Sequence, residues 1–156
     1  SYSKNFGLYS ERVGALLSVC STDQAATHVS SRLKQSVRSN YSNPPRHGGA
    51  IVATILGSPE LRSQWEQELA AMRGRIHEMR TRFVEGMAST NCGVDYSFLL
   101  DQRGMFSFSG LNAMQVDWLR SERGIYIVGS GRINVAGITP SNLSILTAAI
   151  AEATSV

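Results

Sequence analysis

Residues 58–88 read SPELRSQWEQELAAMRGRIHEMRTRFVEGMA and form the longest regular pattern in the chain. Apolar side chains recur there every three or four positions, the spacing of one face of an α-helix. Ser58 followed by Pro59 is a typical helix start, because serine caps free N–H groups and proline suits the first turn. A helix of about 30 residues spans roughly 45 Å, so we predict a bridging helix at 58–92 between two structural units. Its apolar stripe, predicted to be core, consists of Leu61, Trp65, Leu69, Met72, Ile76, Met79, Phe83 and Met87.

Before this helix, the sequence predicts one strand and two further helices. Val13–Cys20 (VGALLSVC) is a short continuous apolar run, typical of a strand buried on both faces of a sheet. Ser21 and Gln24 have the spacing of a capping box, and apolar residues at helical spacing follow, so a helix is predicted over 22–39. The apolar stretch 47–56 predicts a second, shorter helix that ends at a glycine.

After residue 93, short apolar runs separated by glycines and charged turns predict a small α+β unit. A helix is expected at 113–122, and a second one after Thr139-Pro140. The order of elements is β-β-α-β-β-α. The four strand candidates are Tyr96–Leu100, Met105–Phe108, Ile125–Val128 and Ile133–Val135.

The composition excludes several classes of protein. Hydrophobic residues make up 42% and charged residues 17% of the chain, which excludes intrinsic disorder. No apolar run reaches the roughly 20 residues that span a bilayer. The net charge of +3 comes from singly scattered arginines, so we expect no nucleic-acid partner and no membrane partner.

The cysteines and histidines do not predict a metal site. Cys20 and Cys92 lie 72 positions apart and form neither a metal-binding pair nor a disulfide framework, which favours a reducing compartment. The three histidines lack the spacing of ligand pairs. They are His28, His47 and His77.

Lys4 is a candidate for chemistry because this chain uses arginine for nearly every other cation. The sequence has 13 arginines but only two lysines, Lys4 and Lys34. A lysine by itself is most often a surface charge. However, only lysine can lose its proton and attack a carbonyl carbon.

Four stretches, in this order, resemble the class I pyridoxal-phosphate aminotransferases of the aspartate aminotransferase subgroup. They are SYSKNFGLYSERVG at 1–14, RSNYSNPP at 38–45, GMFSFSG at 104–110 and SGRINVAG at 130–137. The resemblance implies an α/β fold, namely the C-terminal part of the fold of pyridoxal-phosphate-dependent transferases. It divides the chain into a remnant of the large cofactor-binding domain at 1–57, the bridging helix at 58–92 and a small α+β domain at 93–156. The chain has no initiator Met and begins only one short polar loop before an apolar strand, so we expect a C-terminal piece of a longer polypeptide.

The resemblance also implies how the cofactor, pyridoxal 5'-phosphate, is held. Lys4 matches the lysine that forms the internal aldimine and then moves a proton at the substrate Cα. Ser1 and Arg12 match ligands of the cofactor phosphate, for which a permanently charged guanidinium is suited. From the residues alone, Arg12 is equally explained as the ordinary charge that precedes an apolar strand.

Three more residues match substrate-binding positions of the family. Arg132 matches the arginine that pairs with the substrate α-carboxylate, and Phe106 matches a residue that lines the site. Arg38 matches the arginine that reaches across a homodimer interface to the side-chain carboxylate of aspartate or glutamate. Without the resemblance, Arg38 is explained as a cation near a helix C-terminus and Arg132 as a solvated charge on a strand edge.

The implied activity is exchange of an amino group between aspartate or glutamate and 2-oxo acids, in the cytoplasm or alternatively the mitochondrion. An aromatic-amino-acid aminotransferase is the first alternative, because it shares these motifs. The second alternative is a folded but catalytically inert fragment, since the family places other cofactor ligands in sequence that is not present here.

Overall fold

A computed structural model describes all 156 residues of the chain. The chain divides into two compact units, Ser1–Leu69 and Ala70–Val156. The boundary between them lies within the longest helix, α3, which spans Pro59–Ala88. No helix combines the length and apolar character that crossing a membrane requires.

The first unit contains α1 at Asp23–Asn40, α2 at Arg46–Gly57 and the beginning of α3. The predicted helices at 22–39 and 47–56 are therefore confirmed. The predicted capping box at Ser21 is wrong by one position, because the side chain of Thr22 accepts the N–H of Ala25 at 3.1 Å. A capping box needs Glu or Gln at the third helical position. With Thr22 as the cap, Gln24 is the second helical residue and cannot complete the box.

The buried strand predicted at Val13–Cys20 is not formed. The segment has no regular secondary structure, and Leu16, Leu17 and Val19 are 73%, 91% and 101% exposed. A strand requires hydrogen-bonding neighbours, and the chain's one sheet consists of two strands in the second unit. The apolar pattern alone therefore did not determine a strand here.

The helix predicted at 58–92 is confirmed, but it ends at Ala88. Only the C-terminal part of its apolar stripe is core, because Leu61 and Met72, also predicted to be core, are exposed. Ser58 Oγ accepts the N–H of Leu61 at 3.3 Å and caps the helix as predicted. In the second unit, Met79, Phe83 and Met87 are almost fully buried. These side chains anchor α3 in the hydrophobic core of that unit.

The second unit packs two helices and a small sheet against α3. Strands β1 at Phe106–Phe108 and β2 at Arg132–Asn134 pair antiparallel, with Ser107 opposite Ile133. Helix α4 spans Ala113–Arg123 and α5 spans Leu143–Ala153. The core members contributed from outside α3 are Tyr96, Leu99, Leu111, Val116, Leu119, Val135, Ile138, Ala149, Ile150 and Ala153.

Two of the four predicted strands are wrong. Most of Tyr96–Leu100 lies in a 3-10 helix at Ser97–Asp101, because Asp95 accepts both the N–H and the hydroxyl of Ser97 and so favours a turn. Ile125–Val128 follows the left-handed Gly124 that ends α4 and has no strand partner. The unit thus combines helices with a sheet of two strands instead of the four that the sequence predicted.

Candidate active site

The first candidate residues lie in the loop formed by residues 1–14. The hydroxyl oxygens of Ser1 and Ser3 lie 2.9 Å apart, and Ser1 Oγ also accepts the N–H of Ser3 at 3.2 Å. Ser3 is only 5% exposed. Sequence analysis singled out Ser1 but missed Ser3, and the Ser-x-Ser spacing was the available signal.

Aromatic contacts hold this loop in place. The ring of Phe6 stacks on Trp65 of α3, with centroids 4.7 Å apart. Trp65 Nε1 donates to the carbonyl of Asn5 at 2.7 Å. The N–H of Tyr2 donates to the carbonyl of Val13 at 3.0 Å, which closes the loop. Stacked and hydrogen-bonded aromatic rings restrict motion. The backbone at Lys4, next to Asn5, is therefore held in one conformation.

Lys4 and Arg12 both contact Tyr9. Lys4 Nζ lies 4.6 Å from the centroid of the Tyr9 ring. Arg12 Nη1 donates to the carbonyl oxygen of Tyr9 at 2.7 Å. Neither cation forms an ion pair with a carboxylate. Their positive charges are therefore available to an anion beside Tyr9, a residue that sequence analysis did not single out.

The backbone is strained at two positions that involve predicted site arginines. The only non-glycine residues with positive φ are Arg12 at 51° and Ser42 at 68°. Ser42 Oγ accepts a hydrogen bond from Arg38, in the last turn of α1. Left-handed conformations are costly for residues with a Cβ and cluster at functional sites. Ser42 has the left-handed conformation that commonly ends a helix, and its N–H donates to the carbonyl of Val37. Only the strain at Arg12 therefore supports a functional role.

The segment next to Arg12 packs closely on the start of α2. Glu11 Oε1 lies 3.1 Å from His47 Nδ1. A Cβ added to Gly48 would lie 2.7 Å from Glu11 Cβ, so only glycine permits this approach. Helix α2 thereby fixes the residue that precedes Arg12.

The other two predicted residues, Phe106 and Arg132, lie together in the second unit. The guanidinium carbon of Arg132 lies 5.0 Å from the centroid of the Phe106 ring, within the range of a cation–π contact. Phe106 is on β1 and Arg132 on β2, and both side chains are exposed. The preceding Gly131 has φ 75° and approaches the carbonyl of Leu111 so closely that a Cβ would lie 2.5 Å from the oxygen.

The side chains in the loop suit a phosphate ester that carries an aldehyde. Hydroxyl groups and a guanidinium donate hydrogen bonds to phosphate oxygens, as Ser1, Ser3 and Arg12 could do. A lysine amine, such as that of Lys4, can attack an aldehyde carbon. The donor set therefore fits pyridoxal phosphate in its chemistry.

Comparisons with known proteins agree with this chemistry. The family described as "Aminotransferase class I and II" matches residues 1–150. Aspartate aminotransferase from Escherichia coli strain K12 is 53% identical over 96% of this chain and 38% of its own length.

Two solved structures resemble the fold over nearly the whole chain. One is an aromatic-amino-acid aminotransferase from Burkholderia pseudomallei covalently bound to pyridoxal phosphate. It has a TM-score of 0.87 and 53% identity over 98% of this chain and 38% of that one. The other is aspartate aminotransferase from Saccharomyces cerevisiae cytoplasm, with a TM-score of 0.85 and 35% identity over 99% of this chain and 39% of that one. This chain thus spans about two-fifths of the length of these relatives, and it belongs to the class I and II aminotransferase family.

Proposed function

We propose that this chain is the C-terminal portion of a pyridoxal-phosphate-dependent aminotransferase that moves an amino group between aspartate or glutamate and a 2-oxo acid. The single observation that carries the proposal is the pair of cations at Tyr9, Lys4 and Arg12, neither of which has a carboxylate partner. This cofactor requires an amine for its aldehyde and a cation for its phosphate, and one loop supplies both.

The residues of the N-terminal loop would hold the cofactor. When bound, pyridoxal phosphate supplies an aldehyde and an electron-withdrawing ring that makes the substrate Cα–H acidic. Ser1 and Arg12 bind and orient the phosphate, and Ser3, hydrogen-bonded to Ser1, fixes the hydroxyl. Lys4 Nζ takes the proton from the substrate Cα as a general base and returns it as a general acid.

The arginines would select the substrate. Arg132 binds the α-carboxylate as a bidentate partner, and its contact with Phe106 fixes the plane of the guanidinium. Arg38 binds the side-chain carboxylate of a dicarboxylic substrate across a homodimer interface, and its exposure in the last turn of α1 supports this role. A guanidinium at each end of a dicarboxylate neutralises both charges.

The division of the chain into 1–57, 58–92 and 93–156 belongs to the same proposal. Its support is that the boundary between the compact units lies within α3. We place the protein in the cytoplasm, supported by the similarity to the aspartate aminotransferase of the yeast cytoplasm.

The test is Lys4→Ala in the full-length protein that contains this sequence. The variant should lose the visible absorbance of the lysine-bound cofactor together with transaminase activity, because no other amine lies in the loop. Lys34→Ala is the matched control, since it removes the other lysine of this sequence, which is exposed in α1, and should leave both signals intact. Unchanged absorbance in the Lys4→Ala protein would refute the role of Lys4.

An aromatic-amino-acid aminotransferase is the second candidate. Its support is that the Burkholderia enzyme is as similar in sequence as the Escherichia coli aspartate enzyme, each being 53% identical. Rates with aspartate and phenylalanine in the full-length protein separate the two candidates.

A further inference from the structure

Helix α3 contacts the start of strand β1 through a buried arginine. Arg80 Nη2 donates to the carbonyl of Gly104 at 2.6 Å and lies 3.4 Å from Ser107 Oγ. Gly104 has φ 82° and forms the turn that leads into β1, and Ser107 is the central residue of that strand. Arg80 therefore fixes β1 at its entry and at its middle.

A second arginine of α3 contacts the segment that follows β2. Arg75 Nη1 donates to the carbonyl of Ala136 at 3.1 Å, and its Nη2 donates to the carbonyl of Ile138 at 2.9 Å. The two acceptors lie in and just after the 3-10 helix at Val135–Gly137 that ends β2. Two hydrogen bonds from one planar guanidinium fix direction as well as distance.

The strands between these contacts are too short to hold their own geometry. Each has three residues, and the pairing is extended at one end by the N–H of Val135 donating to the carbonyl of Met105 at 2.8 Å and at the other by the N–H of Ser109 donating to the carbonyl of Gly131 at 3.0 Å. An isolated two-stranded ribbon is at best marginally stable in water. Contacts with the rest of the unit, including those from α3, therefore keep Arg132 beside Phe106.

Arg80 carries a buried, unpaired charge, which is a costly way to stabilise a fold. Arg80 is 4% exposed, forms no ion pair and leaves Nε without a hydrogen-bond partner. Burial lowers the pKa of its guanidinium, and the nearby positive charge of Arg103 lowers it further. An apolar side chain of similar volume often stabilises such a site more than a buried charge does.

We propose that Arg75 and Arg80 are positioning residues that hold β1 and β2 so that Arg132 is oriented, over Phe106, for a carboxylate. The inference rests on the proposed function, because it assigns them an effect on substrate binding through Arg132. Neither arginine is expected to touch the substrate.

The test compares Arg80→Met and Arg75→Met in the full-length enzyme with Arg73→Met. Arg73 is an exposed residue of the same helix for which no hydrogen bond or ion pair is observed, so it controls for loss of charge. We expect KM for aspartate to rise about tenfold in Arg80→Met and severalfold in Arg75→Met, because small displacements of a binding group are costly. The value of kcat should change less than about threefold, and Arg73→Met should change neither parameter.

A second readout does not depend on activity. Amide hydrogen exchange at Ser107 and Val135 should accelerate in Arg80→Met and Arg75→Met, whereas it should be unchanged in Arg73→Met. Arg80→Lys should restore part of the effect on KM, since an ammonium can bind one of the two acceptors. Because Arg75 is exposed, its variant is expected to fold even if Arg80→Met does not.

The outcomes distinguish the inference from the function on which it rests. If Arg132→Ala raises KM and the Arg75 and Arg80 variants leave KM unchanged, the positioning role is refuted and the proposed function survives. If Arg132→Ala itself leaves KM unchanged, the binding role of Arg132 and the positioning role that depends on it are both refuted, whereas the absorbance of Lys4→Ala tests the aminotransferase function separately. A lower Tm without a change in KM would make Arg75 and Arg80 purely structural residues and would also overturn the proposal.

Discussion

The guanidinium of Arg132 lies over the ring of Phe106, with the guanidinium carbon 5.0 Å from the ring centroid. The contact joins two strands of the second unit and brings together two residues that sequence analysis assigned to one site. An aromatic face attracts a cation without using its N–H donors. The donors of Arg132 thus remain available for a carboxylate.

Removing the Phe106 ring should weaken substrate binding modestly. An exposed cation–π contact contributes about 0.5–1 kcal/mol, so Phe106→Ala in the full-length enzyme should raise KM roughly two- to fivefold. Phe106→Tyr keeps the aromatic face and serves as the control. Steady-state kinetics with aspartate measure the effect, and an unchanged KM in Phe106→Ala would show that the ring does not orient Arg132.

Arg38 should determine selectivity for dicarboxylic substrates. Truncating one partner of a desolvated charge pair costs at least about 2 kcal/mol, so Arg38→Ala should lower kcat/KM for aspartate about 30-fold or more. The rate with phenylalanine should change little, because phenylalanine has no side-chain carboxylate. Arg132→Ala should impair both substrates alike. Equal losses for both substrates in Arg38→Ala would instead make Arg38 a structural residue.

The turn at Asp95 should contribute stability that depends on pH. The hydrogen bond from the N–H of Ser97, and then that from its hydroxyl, lower the pKa of this carboxyl from its ordinary value. Because the folded state favours the charged form, the contribution is present above the unfolded pKa of about 3.9 and is lost as pH falls through the lowered folded pKa.

The measurement is thermal unfolding of the chain and of Asp95→Asn from pH 7 to pH 2. The variant should be less stable at neutral pH, and the difference in Tm should shrink below about pH 4. Asp101→Asn, an exposed residue of the same 3-10 helix, is the matched control. A difference in Tm that does not change with pH would contradict the prediction.

The exposed apolar segment Val13–Cys20 should exchange its amide hydrogens rapidly in the monomeric chain. No backbone N–H of residues 14–20 donates a hydrogen bond, and Leu17 and Val19 are almost wholly exposed. At higher concentration, we expect protection to increase, because an apolar edge recruits a second chain. Leu17→Glu should reduce that association without changing exchange in the second unit. Strong protection that does not depend on concentration, in a proven monomer, would contradict the prediction. It would show that the N–H groups of the segment have hydrogen-bond partners within the same chain.

The sequence by itself determined the helices and the identities of the candidate site residues. The period of the apolar face predicted α3, and the same reasoning predicted α1 and α2, because helical hydrogen bonds join residues four positions apart. Lys4, Arg12, Arg38 and Arg132 were recognised from short motifs whose side chains suit carboxylates and phosphates.

Only the tertiary structure decided the strands and the contacts within the site. Val13–Cys20 has the composition of a strand but no partner, whereas β1 and β2 pair across a separation that no local pattern encodes. In the same way, the loop that carries Lys4 is held by Trp65, which donates to the carbonyl of Asn5 although the two residues are 60 positions apart. Strand pairing and convergent side chains depend on distant parts of the chain meeting, so local sequence patterns cannot specify them.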